Sequence, residues 1–231
     1  MIREIVLDTE TTGLDPAAGD RIVEIGAVEL INHIPSGNHY HQYINPERDM
    51  PAEAFNVHGL SAEFLADYPV FSKVAQSFLD FIGDGILVIH NAQFDMKFIN
   101  AELSWTKLDT LPMERVIDSL ALARKRHPMG PNSLDALCRR YGIDNSRREK
   151  HGALLDSELL ADVYIELIGG RQTTFSLTEQ RDSVVVEHHM TTIKARARPQ
   201  ALPPRLTETE CTQHAQMVER LGDAALWRTR D

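Results

Sequence analysis

Cysteine is scarce in these 231 residues: Cys138 and Cys211 are the only two, far apart and with no partner at ligand spacing. Neither a disulfide framework nor a structural zinc site is expected from them, and a reducing compartment fits best. Long apolar runs are also missing, and no stretch approaches the roughly 20 residues that a membrane-crossing helix needs. The opening "MIREIVLDTE" lacks the basic leader and apolar stretch of a secretory signal, so a cytoplasmic location is expected. Positive charge is in deficit, with 24 Lys and Arg against 34 Asp and Glu and a net charge of −10. That balance argues against a broad, nonspecific nucleic-acid coat, because such binding rests on neutralising phosphates. One window runs the other way. Arg124, Lys125, Arg126, Arg139, Arg140, Arg147, Arg148 and Lys150 crowd residues 124–150, where Asp135, Asp144 and Glu149 are the only acids. Solvated helix faces and a phosphate-binding rim explain it equally well.

What is present is ordinary for a soluble globular chain: 42% apolar and 25% charged residues, enough for one domain with an appendage. Residues 3–8 and 21–30 read as strands, and "NHYHQYIN" (38–45) alternates like a third, so the first third looks like a meander. Two short helices are expected over 61–83, with Ser61 and Ser72 as N-caps. "ILVIH" (86–90) is an all-apolar strand of the kind buried on both faces. Asn91 then caps a helix to about Ser104, "RVID" (115–118) is a further strand, and two helices follow around the breaker "HPMGPNS". In "HGALLDSELLADVYIELIGG" Leu155, Leu159, Leu160, Val163 and Leu167 make one helical stripe, stopped by Gly169 and Gly170. Strands followed by alternating helices and strands predict an α/β domain over 1–170. Residues 171–206 are polar and patternless, with three of the eleven prolines in 199–204, and read as a flexible linker. A last helix is expected within 207–231, opened by a capping box of Thr207 and Glu210, with Ala215, Val218, Leu221 and Ala225 as a modest stripe ahead of Trp227.

The chemistry sits in scattered acids. In a strand, residues i and i+2 share a face about 6.6 Å apart, so Asp8 and Glu10 in "IVLDTETTGL" can point into one space. Asp95 falls in the first turn of the helix after strand 86–90, at the kind of crevice where open α/β sheets bind ligands. Asp156 opens the last domain helix, and His151 precedes it by five residues. Two carboxylates about 5 Å apart repel by about 3 kcal/mol at an effective dielectric of 20. Four in one pocket must therefore take up protons or hold cations. Hard oxygen donors select Mg²⁺ or Mn²⁺ over zinc, and four negative charges balance two divalent ions. With His151 to take a proton from water, the chemistry implied is metal-assisted phosphodiester hydrolysis.

The stretches "LDTETTGL", "HNAQFDMKF" and "HGALLDSELLADVY" resemble the three exonuclease motifs of the DnaQ-like DEDDh family, over about residues 4–169. Asp8, Glu10, Asp95, His151 and Asp156 match its five signature positions. The resemblance implies a ribonuclease H-like mixed five-stranded sheet flanked by helices, two divalent cations, and 3′–5′ hydrolysis releasing nucleoside monophosphates. "PAEAFNVHGLS" is similar to the segment that meets the terminal nucleotide in the family's proofreading branch, which implies substrate contacts for Glu53 and His58. Thr9, Thr11 and Phe94, together with Asp8, Glu10 and Asp156, are implied to line the substrate. "QTTFSL" resembles a sliding-clamp-binding peptide anchored by Gln172, Phe175 and Leu177. The resemblance also implies that the C-terminal segment docks on the polymerase catalytic subunit, with a small third core subunit as a further partner. The alternative is a freestanding DEDDh enzyme trimming RNA or short oligonucleotides.

Overall fold

The computed structural model describes residues 1–148, 150–170 and 206–222. The chain divides into two units, Met1–Leu177 and Thr178–Asp231. The first opens with a meander: β1 (Arg3–Thr11), β2 (Ile22–Ile31) and β3 (Ile34–Tyr43) pair antiparallel in sequence order. Next come three helices, α1 (Ala52–His58), α2 (Ala62–Leu65) and α3 (Phe71–Ile82). The chain then crosses over to β4 (Ile86–Ile89), which lies parallel to β1. From β4 it passes through α4 (Ala92–Trp105) to β5 (Val116–Asp118), parallel to β4. Three helices close the unit: α5 (Ser119–Arg126), α6 (Leu134–Tyr141) and α7 (Ala153–Leu167). The sheet order is β3-β2-β1-β4-β5, a mixed five-stranded sheet as expected.

Alternation along β1 decides which layer each side chain meets. Ile5 and Leu7 join Ile25, Ala27, Leu87 and Ile89 in a core with α3 and α4. On the opposite face Val6 packs with Leu30, Val88 and the α7 residues Leu160 and Tyr164. Behind that, Leu159, Val163 and Leu167 of α7 meet Ala123 of α5 and Leu137 and Cys138 of α6. Asp8 and Glu10 continue the α7-facing register of Val6, which is why they emerge beneath the start of α7. The expected α7 stripe is buried except at Leu155, which is half-buried.

Several boundaries differ from expectation. β1 runs on to Thr11 and β3 begins at Ile34, because cross-strand pairing extends past the residues whose own pattern is clear. Ser61 caps α2 by accepting from the Phe64 N–H, but Ser72 is not a cap: α3 starts one residue earlier, after Val70. The buried Phe71 ring draws that first turn into the core. Asn91 holds the N-cap position of α4 in a left-handed conformation (φ 65°) without a side-chain capping bond. α1 was not foreseen, since its largely exposed residues carry no continuous apolar stripe. In the second unit, α8 (Glu208–Leu221) opens with the Thr207–Glu210 capping box. Residues 171–205, including Gln172, Phe175 and Leu177, lie outside the described residues, as do Ala225 and Trp227. Among the described residues no helix is long and apolar enough to cross a membrane.

Candidate active site

Asp8, Thr9, Glu10, Phe94, Asp95, Arg148, His151 and Asp156 line one pocket of about 290 Å³, which His90, Asn91, Ser133, Leu134, Asp135 and Leu160 complete. Three chain segments meet there for separate reasons. β4 stops at Ile89 while β1 continues to Thr11, so the turn at His90–Asn91 delivers the first turn of α4 beside the end of β1. Thr9 then fastens Asp95: its backbone N–H and its hydroxyl both donate to Asp95 Oδ1, at 3.1 and 2.7 Å. The third segment arrives over Gly26, which pairs with Asp8 across the β1–β2 ladder. A Cβ on Gly26 would lie 2.2 Å from the backbone of Ala153 and Leu154, so only glycine lets α7 descend onto the sheet here. Two bonds secure that approach. Ser157 Oγ donates to the Gly26 carbonyl at 2.9 Å, and the Ala153 N–H donates to Glu24 Oε2 at 3.2 Å. Glu24, itself held by His41 Nε2 at 2.7 Å, thus serves the helix start that Gly152 cannot cap.

The acids repel one another in little water. Burial pushes the Glu10 carboxyl up to about 8, helped by the charges of Asp156, Glu24 and Asp95. Burial pushes Asp95 up to about 7 against the pull of the Thr9 hydrogen bonds. Asp8 is raised well above the usual carboxylate range by burial and by Asp95, Glu10 and Asp156. The opposing cation is Arg148, whose side chain is only 7% exposed. It grips Asp156 in two places, Nε to Oδ1 at 2.5 Å and Nη2 to Oδ2 at 2.7 Å, and reaches Asp135 Oδ1 at 2.9 Å. Arg148 Nη2 also meets His151 Nδ1 at 2.9 Å. His151 stands at the rim with its side chain half exposed, and burial together with the Arg148 charge lowers its pKa.

The donor set suits a divalent cation. Glu10 Oε1 is buried with no hydrogen-bond partner, and ligand atoms of Glu10, His151 and Asp156 lie within 4.8 Å of one another. An orphaned buried carboxylate oxygen among other acids is what a hard cation would satisfy.

Not every expected contact converges. Thr11 is turned away, its hydroxyl donating to the Gly13 carbonyl at 2.6 Å. Glu53 and His58 lie on α1, outside the pocket lining. α1 nevertheless braces the histidine loop: the His151 N–H donates to the Val57 carbonyl at 3.2 Å, and Lys150 Nζ donates to the Asn56 carbonyl at 2.7 Å. His58 is buried and accepts the Leu60 N–H at Nδ1; burial lowers its pKa, and a hydrogen bond to the Thr11 backbone opposes that. The basic window resolves into separate tasks. Arg126 donates to the Glu166 and Leu167 carbonyls at the end of α7, Arg140 to the Pro131 carbonyl, and Arg147 is exposed. Only Arg148 turns into the pocket. Gly26, Glu24 and His90 were given no role from sequence, and Arg148 and Asp135 were named only as members of the basic window. Arg148 sits in a run of basic residues, where nothing marks one side chain as pointing inward.

The mixed sheet with this helix arrangement is that of the ribonuclease H-like exonucleases. A structure described as Exonuclease X in complex with 5′ overhanging duplex DNA superposes with a TM-score of 0.57 and 28% identity, covering 73% of this chain and 91% of that one. An exonuclease I structure gives a TM-score of 0.64 at 17% identity, covering 73% of this chain and 41% of that one, a likeness of fold alone. The family profile described as "Exonuclease" matches residues 5–164. DNA polymerase III subunit epsilon of Rickettsia prowazekii is 55% identical over 186 residues, 79% of this chain and 81% of its own. Its counterpart in Escherichia coli K12 is 44% identical over 239 residues, 98% of this chain and 97% of its own. The chain belongs to the exonuclease family, in the branch of the DNA polymerase III epsilon subunits. That family depends on divalent metal.

Proposed function

We propose that the protein is the 3′–5′ proofreading exonuclease subunit of a DNA polymerase III, removing mispaired 3′-terminal nucleotides as nucleoside monophosphates. One observation carries the reading: acids from β1, α4 and α7 line a single pocket together with a histidine on its rim. Asp8, Glu10, Asp95 and Asp156 would hold two divalent cations, Mg²⁺ or Mn²⁺. Such ions, when bound, supply Lewis-acid stabilisation of the attacking and leaving oxygens of phosphoryl displacement. His151 is the general base. With its pKa lowered chiefly by burial, its ring is neutral near pH 7 and able to accept the proton of an attacking water. Thr9 positions Asp95, and Phe94 offers an aromatic face to the terminal base. Thr11, Glu53 and His58 are the outer substrate contacts, with His58 tied to the Thr11 backbone.

A frayed end enters more readily than a paired one because its unpairing is already done. Net acidity is compatible with a nuclease held near DNA by a partner, since a tether supplies effective concentration in place of intrinsic affinity. The assembly reading assigns residues 171–206 to a linker and 207–231 to a helix docking on the polymerase catalytic subunit. Gln172, Phe175 and Leu177 touch the clamp, and a small third subunit binds residues 1–170. Cleavage of a primer with a mispaired 3′ end, of the same primer fully paired, and of a short RNA decides the substrate. The mispaired primer is degraded fastest with Mg²⁺ or Mn²⁺, and preference for the RNA would transfer the protein to the freestanding trimming enzymes.

A further inference from the structure

We propose that Arg148 is a positioning residue that neutralises Asp156 and covers His151 Nδ1, and that a divalent cation entering the pocket competes with it. The inference rests on the metal-dependent reading of the site. Its geometry is specific: the guanidinium edge engages both Asp156 oxygens at 2.5 and 2.7 Å, in the bidentate fork that binds carboxylates most firmly. With one lone pair of each oxygen taken by the fork, a cation must share Asp156 with Arg148 or displace it. The same side chain caps the histidine. An arginine can only donate, so His151 Nδ1 must accept, and the single proton of a neutral ring is then on Nε2. In that tautomer His151 has no free lone pair for a water proton. One side chain therefore competes for an expected metal ligand and covers a lone pair of the expected base.

Arg148 also has somewhere to go. Its third contact, Asp135 Oδ1 at 2.9 Å, belongs to a side chain that is 43% exposed and anchored to Asn145 Nδ2 at 3.0 Å. Release of Asp156 leaves the guanidinium tethered to Asp135 on the pocket wall. The exchange is electrostatically sound: the arriving ion brings two positive charges to acids that Arg148 serves with one, while the metal-free acids are never left wholly unbalanced.

The test is Mn²⁺ binding by the full chain, followed through the electron paramagnetic resonance of the free ion. Removing a competing ion pair in Arg148→Gln should tighten Mn²⁺ binding by about tenfold. The metal-free melting temperature falls at the same time, so the rise that Mn²⁺ produces is larger than in the wild type. Arg148→Lys, which keeps the charge and loses the fork, falls between the two. Unchanged or weaker Mn²⁺ binding in Arg148→Gln overturns the proposal, because a merely structural arginine has no reason to resist the metal. Should that variant fail to fold, Arg148→Lys carries the test, and no tightening there overturns the proposal equally. Nitrogen NMR of His151 in the metal-free wild type reports the proton on Nε2, and a mixture of tautomers there overturns the covering of Nδ1. A wild type that neither binds Mn²⁺ nor hydrolyses DNA brings down the nuclease reading itself. A wild type that does both, beside an unresponsive Arg148→Gln, brings down only the counter-ion.

Discussion

The floor and the wall of the pocket hold their acids by different means. On the floor, Asp95 takes a backbone N–H and a hydroxyl from Thr9, and Asp8 and Glu10 stand on a strand paired on both sides of its core. On the wall, the Asp156 carboxylate is held by a single side chain, Arg148, from the loop before α7. Backbone donors cannot leave without unfolding the sheet, whereas a guanidinium can swing aside. The floor is therefore a permanent fixture and the wall an exchangeable one, so ligand-dependent rearrangement belongs to residues 142–152.

Substitutions sharpen this contrast. Asp8→Ala on the floor should reduce both Mn²⁺ binding and DNA hydrolysis to background in calorimetry and in a primer assay; retained binding would break the division. His151→Ala on the wall should leave Mn²⁺ binding largely intact while turnover falls by about 10²–10⁴. Its place within 4.8 Å of Glu10 and Asp156 makes the rival outcome clear: lost Mn²⁺ binding would make the histidine a ligand. Thr9→Val keeps the backbone bond to Asp95 and removes the hydroxyl one, and metal affinity should fall by about 10- to 100-fold, as when an outer-shell partner is lost. The loss should be greater at lower pH, since Thr9 is what holds the Asp95 carboxyl down. Gly26→Ala drives a methyl into the start of α7 and should destabilise by about 1–3 kcal/mol, lowering the melting temperature by roughly 2–12 °C. An unchanged melt would mean that α7 shifts freely over the sheet.

The smallest effect is in pH. Below about pH 3 the Glu10 and Asp95 carboxyls are protonated in folded and unfolded chains alike. As pH rises towards about 8 the unfolded chain ionises first, at ordinary values of 4.5 and 3.8, while the metal-free pocket retains its protons. The unfolded state then holds fewer protons, so these groups make the metal-free protein less stable as pH rises through that window. Thermal melts at pH 5 and 8 without metal should show the decline, and saturating Mg²⁺ should abolish it. A melt insensitive to Mg²⁺ at pH 8 would mean that the raised carboxyls are not the metal ligands.

Much of this was legible along the chain. The alternation of β1, the all-apolar β4 and the stripe of α7 each report burial of one known face, and a face repeats with a short period that sequence displays directly. The motif acids could be ranked by their positions at element ends. Arg148 could not, because one arginine in a basic run has the same local sequence whether it points to solvent or into a pocket. Gly26 inside β2 was equally silent: its task is set by Ala153, more than a hundred residues away. Glu53, His58 and Thr11 mark the opposite limit, positions implied by motif whose side chains stand outside the pocket lining.

By itself, the sequence determined the succession of strands and of every helix but α1 among α1 to α8, the cap of α8, and the supply of acids and histidine for a hard cation, because these depend on local periodicity and on side-chain chemistry. Only the tertiary structure decided which cation faces those acids, which ring nitrogen of His151 is covered, and how closely α7 approaches β2. Those are distances between segments remote in sequence, set by packing and by the withdrawal of water, and no local pattern encodes them.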